Sequence, residues 1–575
     1  MNPTSTRRTT PARPGTPWRI LANGPHGTAA TGARPLGLYD SATARAVETR
    51  ALAALPAYTL MQRAGAAVAA LARAVKPHAR QVLVLAGPGN NGGDGYEAAL
   101  QLHQIGYRVT VVTHGDDARL PVDAGTALAR ARQGGVVIRP AGDSAWSTAG
   151  DFGPDDLVID ALLGRGLSRA VTGEIAQVIA YLNHLALDVL AVDLPSGLPS
   201  DTGWLDSKAG SPCVKARWTL ALLSLAPGLW MAQGRDQAGE IWFDDLGVAD
   251  PGLAPQAGLT LGPARPSTRN HASNKGSFGD VWVVGGATGM IGAVALAARA
   301  ALHAGAGRVF LQAQGSDAPS LDTQAPELMM RPSTSPPSTQ AGSGSDPGAD
   351  VDDDSHAPAD PMPASPSARE LSAATVVAGC GGGTSIAARL PGLIEHSHRL
   401  VLDADALNAI AASVELQQAV RHRSARGVAT VITPHPLEAA RLLGSSAADV
   451  QANRLAAARA LVDRFGCAVV LKGSGSVVMA PGLTPGINPS GSAALSTPGS
   501  GDVLAGWLGG WWSQAGRTAE AQPEASAWAS DALSACTYAV WSHGRAAELA
   551  SPAGLALPAG ELVLALGSGL RSGLF

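Results

Sequence analysis

Lysine is nearly missing from this chain: only Lys76, Lys208, Lys215, Lys275 and Lys472 stand among 42 basic residues in a length of 575. A generic positive charge is therefore an arginine, and a lysine inside a motif carries meaning. Cysteine is scarce too. Cys213, Cys380, Cys467 and Cys536 lie far apart with no CxxC pair, which excludes a disulfide framework and a zinc site and makes a reducing compartment the default. Charged residues make up only 15% and the net charge is −4, so there is no broad basic field for nucleic acid or an anionic membrane surface. Long apolar runs are absent as well. The longest, near Trp218 to Trp230, holds Ser224, Pro227 and Gly228 and falls short of the about 20 residues a spanning helix needs. Acids are missing before Asp40, whereas Arg7, Arg8, Arg13, Arg19 and Arg34 precede it, a bias that organelle transit peptides share. Several prolines argue against an amphipathic helix there, so residues 1–37 are expected to be a disordered tail. The preference for arginine over lysine fits a GC-rich bacterial genome, and a cytoplasmic location is expected.

Apolar residues are plentiful, at 46%, and the length exceeds what one core usually serves, so two or more domains are expected. The runs QVLVLAG (81–87), YRVTVVT (107–113), DLVIDALLG (156–164) and DVLAVDLPSG (188–197) alternate with Ala-rich helical stretches. Continuous apolar strands separated by helices indicate a parallel sheet covered on both faces. After a Pro- and Gly-containing join near Pro251 to Pro266, a second series follows: DVWVVGG (280–286), GRVFLQA (307–313), TVVAGCGGG (375–383), RLVLDADALN (399–408), ATVITPHP (429–436) and CAVVLKGSG (467–475). Both halves are expected to be α/β, with units at 38–262 and 263–575. Residues 331 to about 370 are Ser, Pro, Gly, Asp and Ala with almost nothing to bury, and are expected to be a disordered insertion in the second unit.

Candidate sites cluster at strand ends. Gly87-Pro88-Gly89-Asn90-Asn91-Gly92-Gly93-Asp94-Gly95 links a strand to a helix, where bare backbone N–H groups and the helix terminus can cradle a phosphate. It is neither a G-x-G-x-x-G dinucleotide pattern nor a Walker A loop. A ligand-free glycine turn has the same composition. Asp160 and Asp193 end two further strands, followed by Gly164-Arg165-Gly166-Leu167-Ser168 and by Pro195-Ser196-Gly197. Each acid fits a helix cap as well as a ligand group; three such ends converging at the carboxyl edge of one sheet favour a site.

The second half repeats the pattern with other residues. Gly379-Cys380-Gly381-Gly382-Gly383 and Asp403-Ala404-Asp405 sit at strand ends, as does Thr433-Pro434-His435-Pro436, with Glu438 in the helix after it. A histidine between prolines fits a structural role. Lys472-Gly473-Ser474-Gly475-Ser476 follows another strand, and two of the few lysines, Lys275 and Lys472, stand in Gly-flanked motifs. The sharpest signal is Gly499-Ser500-Gly501-Asp502 running into an apolar helix: the N–H groups can form an anion hole beside a carboxylate able to act as general base.

Through GPGNNGGDG, DALLGRGL and VDLPSG, residues from about 38 to 250 resemble the NAD(P)H-hydrate epimerases. Through NKGSFG, GGATGMIGA, LDADALN, TPHP, LKGSGS and GSGDVLAG, residues from about 265 to 560 resemble the NAD(P)H-hydrate dehydratase branch of the ribokinase-like superfamily. The fused pair resembles the bifunctional NAD(P)H-hydrate repair (YjeF-type) family. That resemblance implies an N-terminal Rossmann-like three-layer α/β/α domain and a C-terminal ribokinase-like α/β domain. It implies interconversion of the R and S hydrates of NADH and NADPH (NADHX and NADPHX), then ADP-dependent dehydration of the S form, releasing AMP and phosphate. In the first half it implies substrate contacts from Asn90, Asn91, Gly92, Gly93, Asp94, Gly164, Arg165, Gly166, Leu167, Ser168, Arg169, Ala170 and Asp193, with Asn91, Asp160 and Ser196 around K+. Epimerisation needs an acid such as Asp160 or Asp193, and we assign Asp160. In the second half it implies substrate contacts from Ala293, Gly381, His435 and Asp502, the last as base, nucleotide contacts from Lys472, Gly473, Ser474, Gly475, Ser476 and Gly501, and Mg2+ with the ADP. A homo-oligomer is expected, with neither nucleic acid nor membrane as partner. Departures from the pattern are Arg165 where Thr is frequent, Ala226 where Lys is common, Asn274 for His, Cys380 and Gly382 for Pro and Leu, Leu437 for Gly, and Ser492 for Asn. A small-molecule kinase and a non-catalytic nucleotide-binding protein are the alternatives.

Overall fold

The computed structural model describes residues 17–20, 36–142, 152–167, 169–185, 187–206, 210–248, 252–260, 269–331, 365–514 and 527–575. Two sheets organise them. In the first, parallel strands Val137–Pro140, Arg108–Thr113, Gln81–Ala86, Leu157–Ala161, Val189–Val192, Trp218–Leu222 and Glu240–Asp244 lie side by side in that order, and Trp18–Arg19 adds an antiparallel edge. Taken in chain order this is 3-2-1-4-5-6-7, a Rossmann-like 3-2-1-4-5-6 sheet with one further strand, and it reverses between Gln81–Ala86 and Leu157–Ala161. Val82, Val84 and Ile159 have no exposed surface, because helices cover both faces.

The second sheet runs Met329–Arg331, Arg308–Ala313, Asp280–Gly285, Ala374–Ala378, Arg399–Leu402, Thr430–Ile432 and Ala468–Leu471, all parallel, then Val477–Met479 and Gly486–Ile487 in antiparallel turns. It too reverses, between Asp280–Gly285 and Ala374–Ala378. Its far edge is finished by Ala257–Leu259 and Leu36–Leu38.

That edge corrects the expected boundaries. Leu36–Leu38, which straddles the expected end of the tail, and Ala257–Leu259, placed in the first unit, are strands of the second sheet, and Trp18–Arg19 also pairs. Hydrogen bonding explains it: an open Gly486–Ile487 edge would leave unpaired backbone groups. The insertion is narrower than expected at both ends, since Met329–Arg331 is a strand and Ala368–Leu371 a helix capped by Ser367. Its middle, 332–364, and most of the tail lie outside the described residues. All four cysteines are free and buried. Among the described residues no helix is long and apolar enough to cross a membrane.

Candidate functional site

Both strand-order reversals carry a glycine turn, and each builds a site. At the first, Gly87 has no room for a side chain, since a Cβ would come 1.8 Å from the Leu162 carbonyl oxygen; a Cβ on Gly92 would come 2.1 Å from the Gly87 oxygen. Only glycine lets the loop lie this close to its neighbour strand. Gly89, just before the helix Asn90–Gln104, meets open space and offers no side-chain cap, so the helix start is presented as an anion-binding end. A cavity of about 700 Å³ opens there.

Asn90, Asn91, Asp94, Gly164 to Leu167, Arg169 and Asp193 all line this cavity, as the sequence motifs predict. Gly92 and Gly93 are buried packing positions instead, Ala170 is exposed away from the lining, and Ser168 lies outside the described residues. Asp160 also departs from expectation: it is fully buried beneath the cavity. One carboxylate oxygen accepts from the Ser196 hydroxyl at 2.6 Å and the Leu162 N–H at 3.3 Å, the other from the Ser196 N–H at 2.8 Å. Burial pushes its carboxyl up to about 6, against those hydrogen bonds.

The acids lining the cavity are Asp94, Asp193, Glu48 and Asp123. Asp193 has φ of 65°, a left-handed conformation that a non-glycine residue holds only when its surroundings fix it. Arg165 does the fixing: its Nε lies 3.3 Å from the Asp193 carboxylate, its Nη1 donates to the Ser224 hydroxyl at 2.8 Å, and its Nη2 donates to the Ser224 carbonyl. Burial, then the charges of Asp193 and Glu48, push the Asp94 carboxyl well up. Glu48, from the helix Ser41–Ala54, is raised by burial and by Asp193.

At the carboxyl edge of the second sheet, Lys472 Nζ donates to Asp403 at 2.6 Å and lies 4.0 Å from Glu438, whose other oxygen is 3.3 Å from His435 Nε2. Asp403 also accepts from the Thr433 hydroxyl at 2.8 Å, which aims it at the lysine. Gly499, with φ of 87°, starts the helix Ser500–Trp512 without a side-chain cap. A Cβ on Gly501 would sit 3.4 Å from Lys472 Nζ, so ammonium and helix start face one point. Asp502 is in that first turn, its carboxyl pushed up to about 6 by burial and then by Asp403. Burial pushes the Glu438 carboxyl up to about 7. Ala293 and Gly381 meet across the same crevice, a Gly381 Cβ falling 2.9 Å from the Ala293 methyl. The loop Lys472–Ser476 rests on Arg454, fully buried, which donates to the carbonyls of Leu471 at 3.0 Å and Lys472 at 3.2 Å.

Comparison with known proteins agrees with two joined sites. Residues 57–228 match the family described as YjeF-related protein N-terminus, and residues 281–563 match NAD(P)H-hydrate dehydratase. The Escherichia coli K12 bifunctional NAD(P)H-hydrate repair enzyme Nnr is 35% identical over 79% of this chain and 80% of its own length. The chain belongs to the family of bifunctional NAD(P)H-hydrate repair enzymes. The Coxiella burnetii member is 32% identical over 82% of this chain and 89% of its own. Among solved structures, an ADP/ATP-dependent NAD(P)H-hydrate dehydratase from Bacillus subtilis, co-crystallised with ATP and Mg2+, covers 54% of this chain and 95% of its own at 20% identity and a TM-score of 0.37.

Within this repair family, the motif lysines of the chain divide. Lys472 is in the crevice, whereas Lys275 opens a short turn at the opposite, amino end of strand Asp280–Gly285, its carbonyl 1.7 Å from where a Gly307 Cβ would be. Asn274, Lys275 and Phe278 of NKGSFG line a separate small pocket there. Glu48 and Arg454 escape sequence reading: neither stands in a glycine turn, and arginine is this chain's ordinary cation. Glu438 carries a signal, three residues after His435, but it is that of a helix cap, which it also is.

Proposed function

We propose that the chain repairs hydrated NADH and NADPH, its first half interconverting the R and S hydrates and its second half dehydrating the S form with ADP. The observation that carries this is the meeting of Lys472, Asp403, Asp502 and the Gly499–Gly501 helix start at the carboxyl ends of neighbouring parallel strands. Lys472 and the helix N–H groups hold the terminal phosphate of ADP, with the loop Gly473 to Ser476 and Gly501 around the nucleotide. Asp502, ionised above about 6, takes the proton of the ring hydroxyl as its oxygen bonds to phosphorus and AMP leaves. The phosphate then departs with the ring's C–O electron pair, the ring nitrogen supplies electrons, and a proton lost from the neighbouring carbon restores the reduced nicotinamide. Hydroxide leaves poorly and phosphate well, so a kinase-like site performs a dehydration. Ala293, Gly381 and His435 border the substrate.

Mg2+ prefers a shell of oxygens, and the groups converging at Asp502 include the Cys380 thiol and a lysine that already neutralises Asp403. These side chains do not fit it as direct ligands, so we assign magnesium to the phosphates of the nucleotide and derive no step through it. K+ fits better in the first half. Asp160, Ser196 and the Leu163 carbonyl bring hard oxygens together, and Asn91 lines the adjoining cavity. Bound there, the ion would orient a substrate phosphate near the helix start. Asp160 then holds the floor of the site. Proton transfer falls to the acids on the wall, Asp94 as the protonated donor and Asp193, paired with Arg165, as the acceptor.

The test uses separated hydrates, with NADH absorbance and inorganic phosphate as readouts. Asp502→Asn is expected to lower ADP-dependent recovery from S hydrate by at least about 10²-fold while leaving R-to-S conversion intact. Asp193→Asn is expected to do the reverse. Equal loss of both activities in either variant contradicts the two-site division.

A further inference from the structure

The mechanism leaves the thiol of Cys380 unused, although the turn that carries it is firmly held. Its backbone is pinned: the Cys380 carbonyl accepts from the Gly286 N–H at 2.9 Å, and a Cβ on Gly285 would come within 2.2 Å of that oxygen. Gly379 and Gly381 on either side have φ of 117° and 56°, so the turn delivers one side chain inward and nothing else. That side chain has no exposed surface. Its sulfur and one carboxylate oxygen each of Asp403 and Asp502 all lie within 4.8 Å of one another. Of the two acids, Asp403 is satisfied by Lys472 and Thr433. Among the described residues Asp502 has no such partners, and the thiol lies within 4.8 Å of one of its oxygens.

We propose that Cys380 is a positioning residue of the dehydration: its S–H donates to one oxygen of Asp502 and leaves the other turned toward the substrate hydroxyl. This rests on Asp502 being the base. A base free to rotate samples unproductive orientations, and a fixed donor on its far side removes them. Donation to the ionised form also favours that form, opposing the burial and the neighbouring acids that disfavour it. The charged and titratable groups around Asp502 are Asp403 and Asp405, which raise its carboxyl, and Lys472, which lowers it. His543 reaches the same helix start through the Ser500 carbonyl and is held neutral by burial. Burial holds the thiol itself protonated, as a donor must be.

The test follows ADP-dependent dehydration of S hydrate by the full chain from about pH 5 to about pH 9, with kcat and KM separated. Cys380→Ala is expected to move the acid limb of the rate profile up by about one unit, a loss of about tenfold below the limb, through kcat rather than KM for ADP. Cys380→Ser, whose hydroxyl can donate, is expected to keep the limb at or below its original position. Cys467→Ala, which removes an equally buried thiol at the start of strand Ala468–Leu471, is expected to change neither. An unmoved limb and unchanged kcat in Cys380→Ala overturn the proposal, as does a limb in Cys380→Ser above that of the unsubstituted chain; the serine variant decides alone if the alanine variant does not fold. Asp502→Asn separates the two readings: full activity in that variant removes the base itself, whatever Cys380 does.

Discussion

His543 shows how a single side chain outside every motif conditions the second site. Its ring is buried in the helix Ala527–Ala550, with Nε2 2.9 Å from the carbonyl of Ser500, the first residue of the helix bearing Asp502. Burial, more than the nearby Lys472, pushes it down from 6.5 to about 4. A lowered histidine is more readily protonated in the unfolded chain, so its contribution is full above 6.5 and is lost as pH falls through 4. At most this is worth about 3 kcal/mol. The chain should therefore lose more thermal stability between about pH 7.5 and about pH 4.5 than a His543→Gln variant does, as melting curves would measure; equal losses contradict it. Such a residue was not legible in the sequence, because a lone histidine in a long helix resembles any other. Asp502, Lys472 and Asp193 were legible because glycine turns fix where a strand-end side chain must point. Asp160 misled for a related reason. An acid at a strand end reads the same whether it faces the cavity or the floor, and that choice depends on Ser196, which reaches it from the next strand's turn.

Between elements, contact distance is set by which residues lack a side chain. Helices Ile291–His303 and Ser500–Trp512 cross with backbones almost touching: a Cβ on Gly506 would come 1.9 Å from the Ala297 carbonyl oxygen, and one on Gly510 would come 2.3 Å from that of Ala301. Both pairs are four residues apart, so they share one helix face. Backbone cannot yield as a side-chain tip can, so Gly506→Ala must push the helices apart, at a cost of about 1–3 kcal/mol. Since the displaced helix carries Asp502 in its first turn and the other carries Ala293, dehydration should fall along with the melting temperature; a variant that melts as before would show that the helices can slide. The small-residue run GAVALAARAALHAGAG announced close packing in the sequence, and the apolar strand runs announced two parallel sheets. Trp18–Arg19 and Leu36–Leu38 announced nothing. Strands of two or three residues are too short for a period, and pairing partners more than 200 residues away decide them.

For the whole molecule, composition points to a join near residue 262 but says nothing of what crosses it. The first half supports the second at its working end. The Ala232 N–H donates to the Ser474 carbonyl at 3.2 Å, a Cβ on Gly475 would meet the Trp230 carbonyl oxygen at 2.0 Å, and Arg235 donates to the Gly491 carbonyl at 2.6 Å. One buried cluster runs through both halves, from Leu225, Trp230 and Met231 to Leu471 and Val477. A second half made alone as residues 269–575 would lose Leu36–Leu38 and Ala257–Leu259 from its sheet, opening the Gly486–Ile487 edge to other chains. It would also lose the support beneath Ser474 and Gly475, in the loop we assign to the nucleotide. The fragment should therefore melt lower than the full chain, aggregate as concentration rises, and show a raised KM for ADP, while the chemistry at Asp502, held wholly by second-half elements, keeps a kcat within about tenfold. A fragment with the stability and the ADP KM of the full chain would mean that the two halves share a chain without sharing a structure.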